Sequence, residues 1–169
     1  MKWFSKKIIS VFLGLILINV LLWVAVFQCS PGLLEVNYFA VGQGDSIFIE
    51  TPARQQILID GGANDKVLKK LNEEMPFWDR SLDLVILTHP EQDHISGLLH
   101  VLERYQVDYV MWSGIEGKTV RYNKWKETLK KRDSKQIIAQ DDQRVALGEA
   151  SLEVLYPFRN LWGQISNSP

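Results

Sequence analysis

Residues Thr88–Gly97 read THPEQDHISG and place His89, Glu91, Asp93 and His94 within six positions of one another. Imidazole nitrogens and carboxylate oxygens are donors for divalent cations, and near neutral pH they need little deprotonation to act as such. Asp93 and His94 are adjacent, so on a regular element they cannot point the same way as His89 and Glu91. A loop running into a helix can aim the four side chains at two neighbouring points, which suits a pair of metal ions. Singly, each has an ordinary explanation. Asp93 is a favoured helix-capping residue, His89 fits a hydrogen-bonded loop, and Glu91 fits a solvated charge. Clustered directly after an apolar strand, they point to a divalent-metal site.

The elements around the cluster decide where it sits. DLVILTH, Asp83–His89, is a continuous apolar run expected of a strand covered on both faces. After the cluster Ile95, Leu98, Leu99 and Leu102 fall at i, i+3, i+4 and i+7, one buried helical stripe. The candidate ligands therefore occupy the loop at a strand's C-terminal end and the first helical turn, the crevice in which open α/β sheets bind ligands. Upstream, Leu34–Val41, Asp45–Thr51 and Gln56–Asp60 are strand-like, with a GQG turn after the first and Gly61–Gly62 after the third. Asp65–Met75 has helical spacing, with Asp65 as its expected cap. Downstream come a strand at Val107–Trp112, a basic helix over Val120–Arg132, and short strands near QIIA and ASLEVLYP. This alternation predicts an α/β architecture with helices on the sheet.

The N-terminus is of another kind. Ile8–Phe27 carries no charge and one amide, Asn19, behind Lys2, Lys6 and Lys7. About 20 apolar residues match a hydrocarbon core of about 30 Å, and the lysine bias predicts a cytoplasmic N-terminus with the remainder exported. Residues 1–30 are thus expected to be a single-pass, uncleaved transmembrane anchor, and 34–169 an extracytoplasmic domain. Cys29 is the only cysteine, which excludes an internal disulfide and a thiolate cluster. Net charge is −1, or −4 once the three N-terminal lysines are set aside, which excludes a surface coated by nucleic acid.

THPEQDHISGL resembles the H-x-H-x-D-H signature of the metallo-β-lactamase fold, with Glu91 in place of the second histidine. YFAVGQGDSIFIE, ILIDGG and VALGEASLEVLYP are similar to the strand–turn–strand, Asp-Gly-Gly strand and later hairpin of the ComEC-like competence proteins' metallo-hydrolase domain. The resemblance runs from about Leu34 onward. It implies an αββα sandwich and two divalent metal ions. His89 and Glu91 would serve one, and Asp93 and His94 the other. Asp93 would also orient the attacking water, so that Asp93 and His94 form the catalytic pair. Asp45 and Asp60 would be orienting residues behind them, although glycine-rich turns favour Asp for local bonding too. Glu91 hardens the ligand set, shifting preference from zinc toward manganese or magnesium.

The sequence departs from the resemblance in two places. Ala40 stands where the family has Asp. The family's second half, with its further histidines and bridging carboxylate, is not matched, and ISNSP resembles only its start. The expectation is therefore the first half of the sandwich, incomplete at the C-terminus and completed by a missing C-terminal half or another polypeptide. The implied activity is phosphodiester hydrolysis, with single-stranded DNA as substrate during uptake. The alternatives are hydrolysis of a small ester or lactam, and a non-catalytic anchored binding module. For that module the sequence offers eight Lys or Arg between Glu116 and Lys135, with Tyr122, Trp125 and Leu129 at helical spacing. These aromatics could stack on bases, or face the core of an amphipathic helix.

Overall fold

A computed structural model describes residues 2–29 and 32–156, with side chains described over 8–24 and from 32 onward. The chain divides into two compact units, Met1–Gly32 and Leu33–Pro169. The first is helix α1, Lys2–Cys29. Its described side chains from Ile8 to Val24 are almost all apolar and exposed. Among the described residues, no helix is long and apolar enough to cross a membrane. The side chains of residues 25–27, which complete the expected span, lie outside the described residues, as do that of Cys29 and the ISNSP segment.

The second unit begins with three short strands, β1 (Glu35–Tyr38), β2 (Ile47–Glu50) and β3 (Gln56–Ile59). Then follow α2 (Lys66–Glu74), β4 (Ser81–Leu87), α3 (Gln92–Arg104), β5 (Gln106–Trp112), α4 (Val120–Lys130) and β6 (Lys135–Ile138). The six strands form one sheet in sequence order, antiparallel through β1, β2 and β3 and parallel from β3 to β6. β7 (Arg144–Leu147) and β8 (Ala150–Glu153) make a separate antiparallel hairpin. Mixed α/β architecture is thus observed. The Asp65 side chain makes no cap hydrogen bond. Asn64 Oδ1 accepts from the Lys66 backbone N–H instead, at 3.0 Å.

Period-two alternation along the strands divides the core. Phe48, Leu58, Val85 and Val110 pack with Val67 and Leu71 of α2, Ile95, Leu98 and Leu102 of α3, and Tyr122, Trp125 and Leu129 of α4. The opposite face presents Ile57, Leu84 and Met111, with Leu147 and Leu152 of the hairpin packed against them. β4 is consequently covered on both sides, as its apolar run requires.

This packing overturns the stacking role weighed for the basic helix. Tyr122 and Trp125 are buried against the sheet, with Trp112 rings 6.3 and 6.1 Å away. α4 starts on a conventional cap, Thr119 Oγ1 accepting from Tyr122 N–H at 3.1 Å. Its cations face outward because its aromatic stripe faces in.

Trp125 is the largest fully buried side chain. Trp125→Ala is expected to cost about 3–5 kcal/mol of unfolding free energy, read from the shift of the urea denaturation midpoint. A change within about 0.5 kcal/mol would contradict the packing described.

Candidate metal centre

Parallel strands β3 and β4 end side by side, so their outgoing turns meet. Asp60 leaves β3 in the left-handed region, φ +56°, a conformation that Asp tolerates better than most side chains. Its backbone N–H donates to Ile86 O at 2.9 Å, and its carbonyl accepts from Ser46 Oγ at 3.1 Å. Tied at both ends, the buried carboxylate points beneath the β4–α3 loop.

There it collects three hydrogen bonds. Oδ1 accepts from the Thr88 backbone N–H at 2.9 Å, and Oδ2 accepts from Thr88 Oγ1 at 2.6 Å. Oδ2 also lies 2.8 Å from His94 Nδ1. A carboxylate only accepts, so Nδ1 carries a proton, and the neutral tautomer compatible with that bond is the one with a bare Nε2. The Thr88 hydroxyl, 2.9 Å from His89 Nδ1, has already given its hydrogen to Asp60. Its oxygen therefore accepts from His89 Nδ1–H, leaving Nε2 bare on His89 as well. One buried carboxylate sets both tautomers, directly at His94 and through Thr88 at His89. Such support behind metal-binding imidazoles orients them and raises their basicity.

The predicted ligands come together in two pairs. His89 Nε2 is 3.8 Å from Glu91 Oε2, and His94 Nε2 is 4.0 Å from Asp93 Oδ1. The two imidazole rings are 3.9 Å apart between centroids, tilted by 48°. His94 is nearly buried while Glu91 is exposed, so the cluster opens outward from α3. Glu91 takes the N-cap position of α3 without a side-chain cap bond, and Asp93 falls in the first turn. Tetrahedral ligands about 2.0–2.1 Å from an ion are about 3.4 Å apart, a few tenths of an ångström closer than either pair here. The donor types and their tautomers fit a divalent cation. The donor number is smaller than a closed site needs. Among the described residues, no group of three His, Cys, Asp or Glu is placed to hold an ion.

Asp45 contributes through its backbone, its carbonyl accepting from Gly62 N–H at 3.0 Å. That bond belongs to a stitching of three turns. Ala63 N–H donates to Gln43 O, Gly61 N–H to His94 O, and Gly97 N–H to Gly62 O, all between 2.9 and 3.1 Å. Gly44, at φ +82°, lies so close to the ligand loop that a Cβ there would come within 1.8 Å of Asp93 O. A Cβ on Gly97 would meet Gly61 O at the same distance. Gly44, read from the sequence as a turn residue, and Gly97 of α3 are thus contact points at which the GQG turn meets the start of α3 and α3 meets the turn after β3. Thr88 and this interlock were not legible as site components. The signal that could have found Thr88 is its place between the apolar strand and His89.

Residues 40–149 match the metallo-beta-lactamase superfamily. The exodeoxyribonuclease WalJ of Streptococcus pneumoniae is 31% identical over 65 residues, covering 38% of this chain and 24% of that protein. ComE operon protein 3 of Bacillus subtilis is 31% identical over 111 residues, covering 56% of this chain and 14% of that protein. Among solved structures, a mutant metallo-beta-lactamase of Cronobacter sakazakii aligns with TM-score 0.50 at 18% identity, over 69% of this chain and 48% of that one. The chain spans about a quarter or less of the curated relatives' lengths and about half of the structural relative's.

Three substitutions test this geometry. Thr88→Val is expected to erase the Nδ1–H preference of His89 in imidazole nitrogen NMR of the metal-free protein, and Thr88→Ser to retain it. Gly44→Ala is expected to destabilise by about 1–3 kcal/mol through overpacking, seen as a lower thermal midpoint.

Proposed function

We propose that this chain, which belongs to the metallo-beta-lactamase superfamily, carries half of a two-metal hydrolase centre acting on phosphodiesters. Members of this superfamily are typically metal-dependent hydrolases. The observation that carries the reading is the Asp60 carboxylate, which holds His94 Nδ1 directly and His89 Nδ1 through the Thr88 hydroxyl, so that the neutral form of either ring turns its Nε2 free for an ion. A hydrogen-bonded loop of no further purpose has no use for two imidazoles held in that one tautomer.

In this proposal His89 and Glu91 hold one ion and Asp93 and His94 the other, manganese or zinc with magnesium as a harder alternative. The metals, when bound, supply charge stabilisation and an activated water. The chain's own residues do the positioning. Asp60 and Thr88 hold the rings. Asp93, in the first turn of α3, keeps a carboxylate 4.0 Å from His94 Nε2, where it can accept a proton or orient a water. Ligands that close the centre come from a further segment or a completing polypeptide, since each point here has two donors where structural and catalytic sites use three or more.

Single-stranded DNA is the proposed substrate class. The support is the likeness to a protein named as an exodeoxyribonuclease and to a protein of the ComE operon. We propose further that the apolar stretch 8–27 anchors the chain in the cell membrane in a single pass with the domain outside. Exposed apolar side chains along α1 and the lysines before it support that reading.

The chain alone is expected to bind manganese weakly by calorimetry and to cleave single-stranded DNA poorly. Supplied with the completing ligands, it should become active, and Asp93→Ala should then lower turnover about 100-fold or more. Undiminished turnover in that variant, or in His89→Ala, would sink the proposed function.

A further inference from the structure

The end of the sheet away from the metal centre gathers features that the hydrolase reading does not use. β3, β4, β5 and β6 all start there, and the register of β1 and β2 brings Glu35 and Glu50 to the same end. Chain order places Leu33 and Leu34, both exposed, at the entry from α1. The α2–β4 loop adds Phe77 and Trp78, which are 79% and 73% exposed. Their rings meet edge to face at 4.8 Å.

The loop that presents them is held fast. Asp79 N–H donates to Pro76 O at 2.9 Å, and the Asp79 carboxylate accepts from Ser81 N–H, Ser81 Oγ and Gln56 Nε2. Arg80 donates to Asn72 and, at 2.8 Å, to Tyr105 Oη. Two adjacent aromatics held outward on an ordered loop expose apolar surface of the kind that marks a partner.

Beside them an open groove of about 780 Å³ is lined by Arg80, Arg104, Lys131, Arg132 and Lys135. Its acids are Glu103, Asp108 and Asp133, and Glu103 is already engaged by Lys124 at 3.2 Å. From β4 to β6 is two strand spacings, about 10 Å, so cations and aromatics can meet one flat surface together.

We infer that this end of the domain docks on an anionic lipid bilayer, with Phe77 and Trp78 at the headgroup level and the cations over the phosphates. Aromatic residues favour that interface, and basic residues near it are drawn to anionic lipid. Nucleic acid fits less well. Successive bases stack on rings presented as open platforms, whereas Phe77 and Trp78 pack edge to face on one another and Lys135 sits over the Tyr109 ring at 5.2 Å. The seven residues of β4 then separate the membrane from the metal centre by about 23 Å, aiming the centre outward. This face goes beyond the anchoring proposed above and does not require α1 to cross the bilayer.

The test labels the full chain at position 78 with an environment-sensitive fluorophore through Trp78→Cys in a Cys29→Ser background. A second sample carries the label through Glu116→Cys, in the β5–α4 loop at the opposite end. Both are mixed with vesicles of phosphatidylcholine and phosphatidylserine containing doxyl-labelled lipid. Quenching at position 78 is expected to exceed that at 116 by about twofold or more. Arg104→Glu with Arg132→Glu, or phosphatidylcholine alone, should reduce it. Equal quenching at the two positions in protein that co-floats with the vesicles would overturn this face while leaving the anchor standing. Failure to co-float would overturn both. An emission change at 78 on adding a single-stranded oligonucleotide, without lipid quenching, would overturn the membrane and assign the face to nucleic acid.

Discussion

The Asp60 carboxylate receives Thr88 N–H, the Thr88 hydroxyl and the His94 ring, groups at least 28 positions along the chain. A buried carboxylate is expensive unless its lone pairs are used. Here each bond that satisfies it also orients something the site needs. The Thr88 bonds set the path by which the chain leaves β4, and the His94 bond sets a ring on the first turn of α3. His89 is drawn in through the hydroxyl. Remove the carboxylate, and two imidazoles lose tautomer and direction together.

Asp60 can do this only because the backbone around it is closely packed. Gly61, Gly62, Gly97 and Gly44 let three turns approach to distances that a single Cβ would prevent. The hydrogen bonds between those turns run backbone to backbone, so they do not depend on side-chain identity. The outcome is a rigid floor of main chain beneath the four candidate ligands, and rigidity is what a metal site built on them would need. Leu58 and Val85, on the helix face of β3 and β4, hold that floor from below.

The sheet separates three tasks in space. One face takes the helices and the large aromatic core, the other takes the β7–β8 hairpin, and the strand ends differ in chemistry. At the C-terminal ends of β3 and β4 lie the imidazoles and carboxylates. At the opposite end lie two exposed aromatics and a groove in which five cations outnumber three acids. The parallel arrangement from β3 to β6 makes this polarity possible, because every crossover returns the chain to the same end before the next strand begins.

Periodicity and residue type were enough to locate the strands and helices between Leu34 and Val154 apart from β7, and to single out the contiguous His89–His94 cluster, because hydrophobic repeat and such a cluster are both local. The same local reading left the aromatic stripe of α4 undecided, since spacing states which residues share a face and not what that face meets. Packing on the sheet decided it. Asp60 could be read as a residue in a glycine turn, but its partners could not, for they depend on two parallel strands ending in register. Thr88 and the touching glycines were silent for a like reason. A hydroxyl or a missing Cβ acquires meaning only from what stands opposite it, and that is set by contacts between segments far apart along the chain.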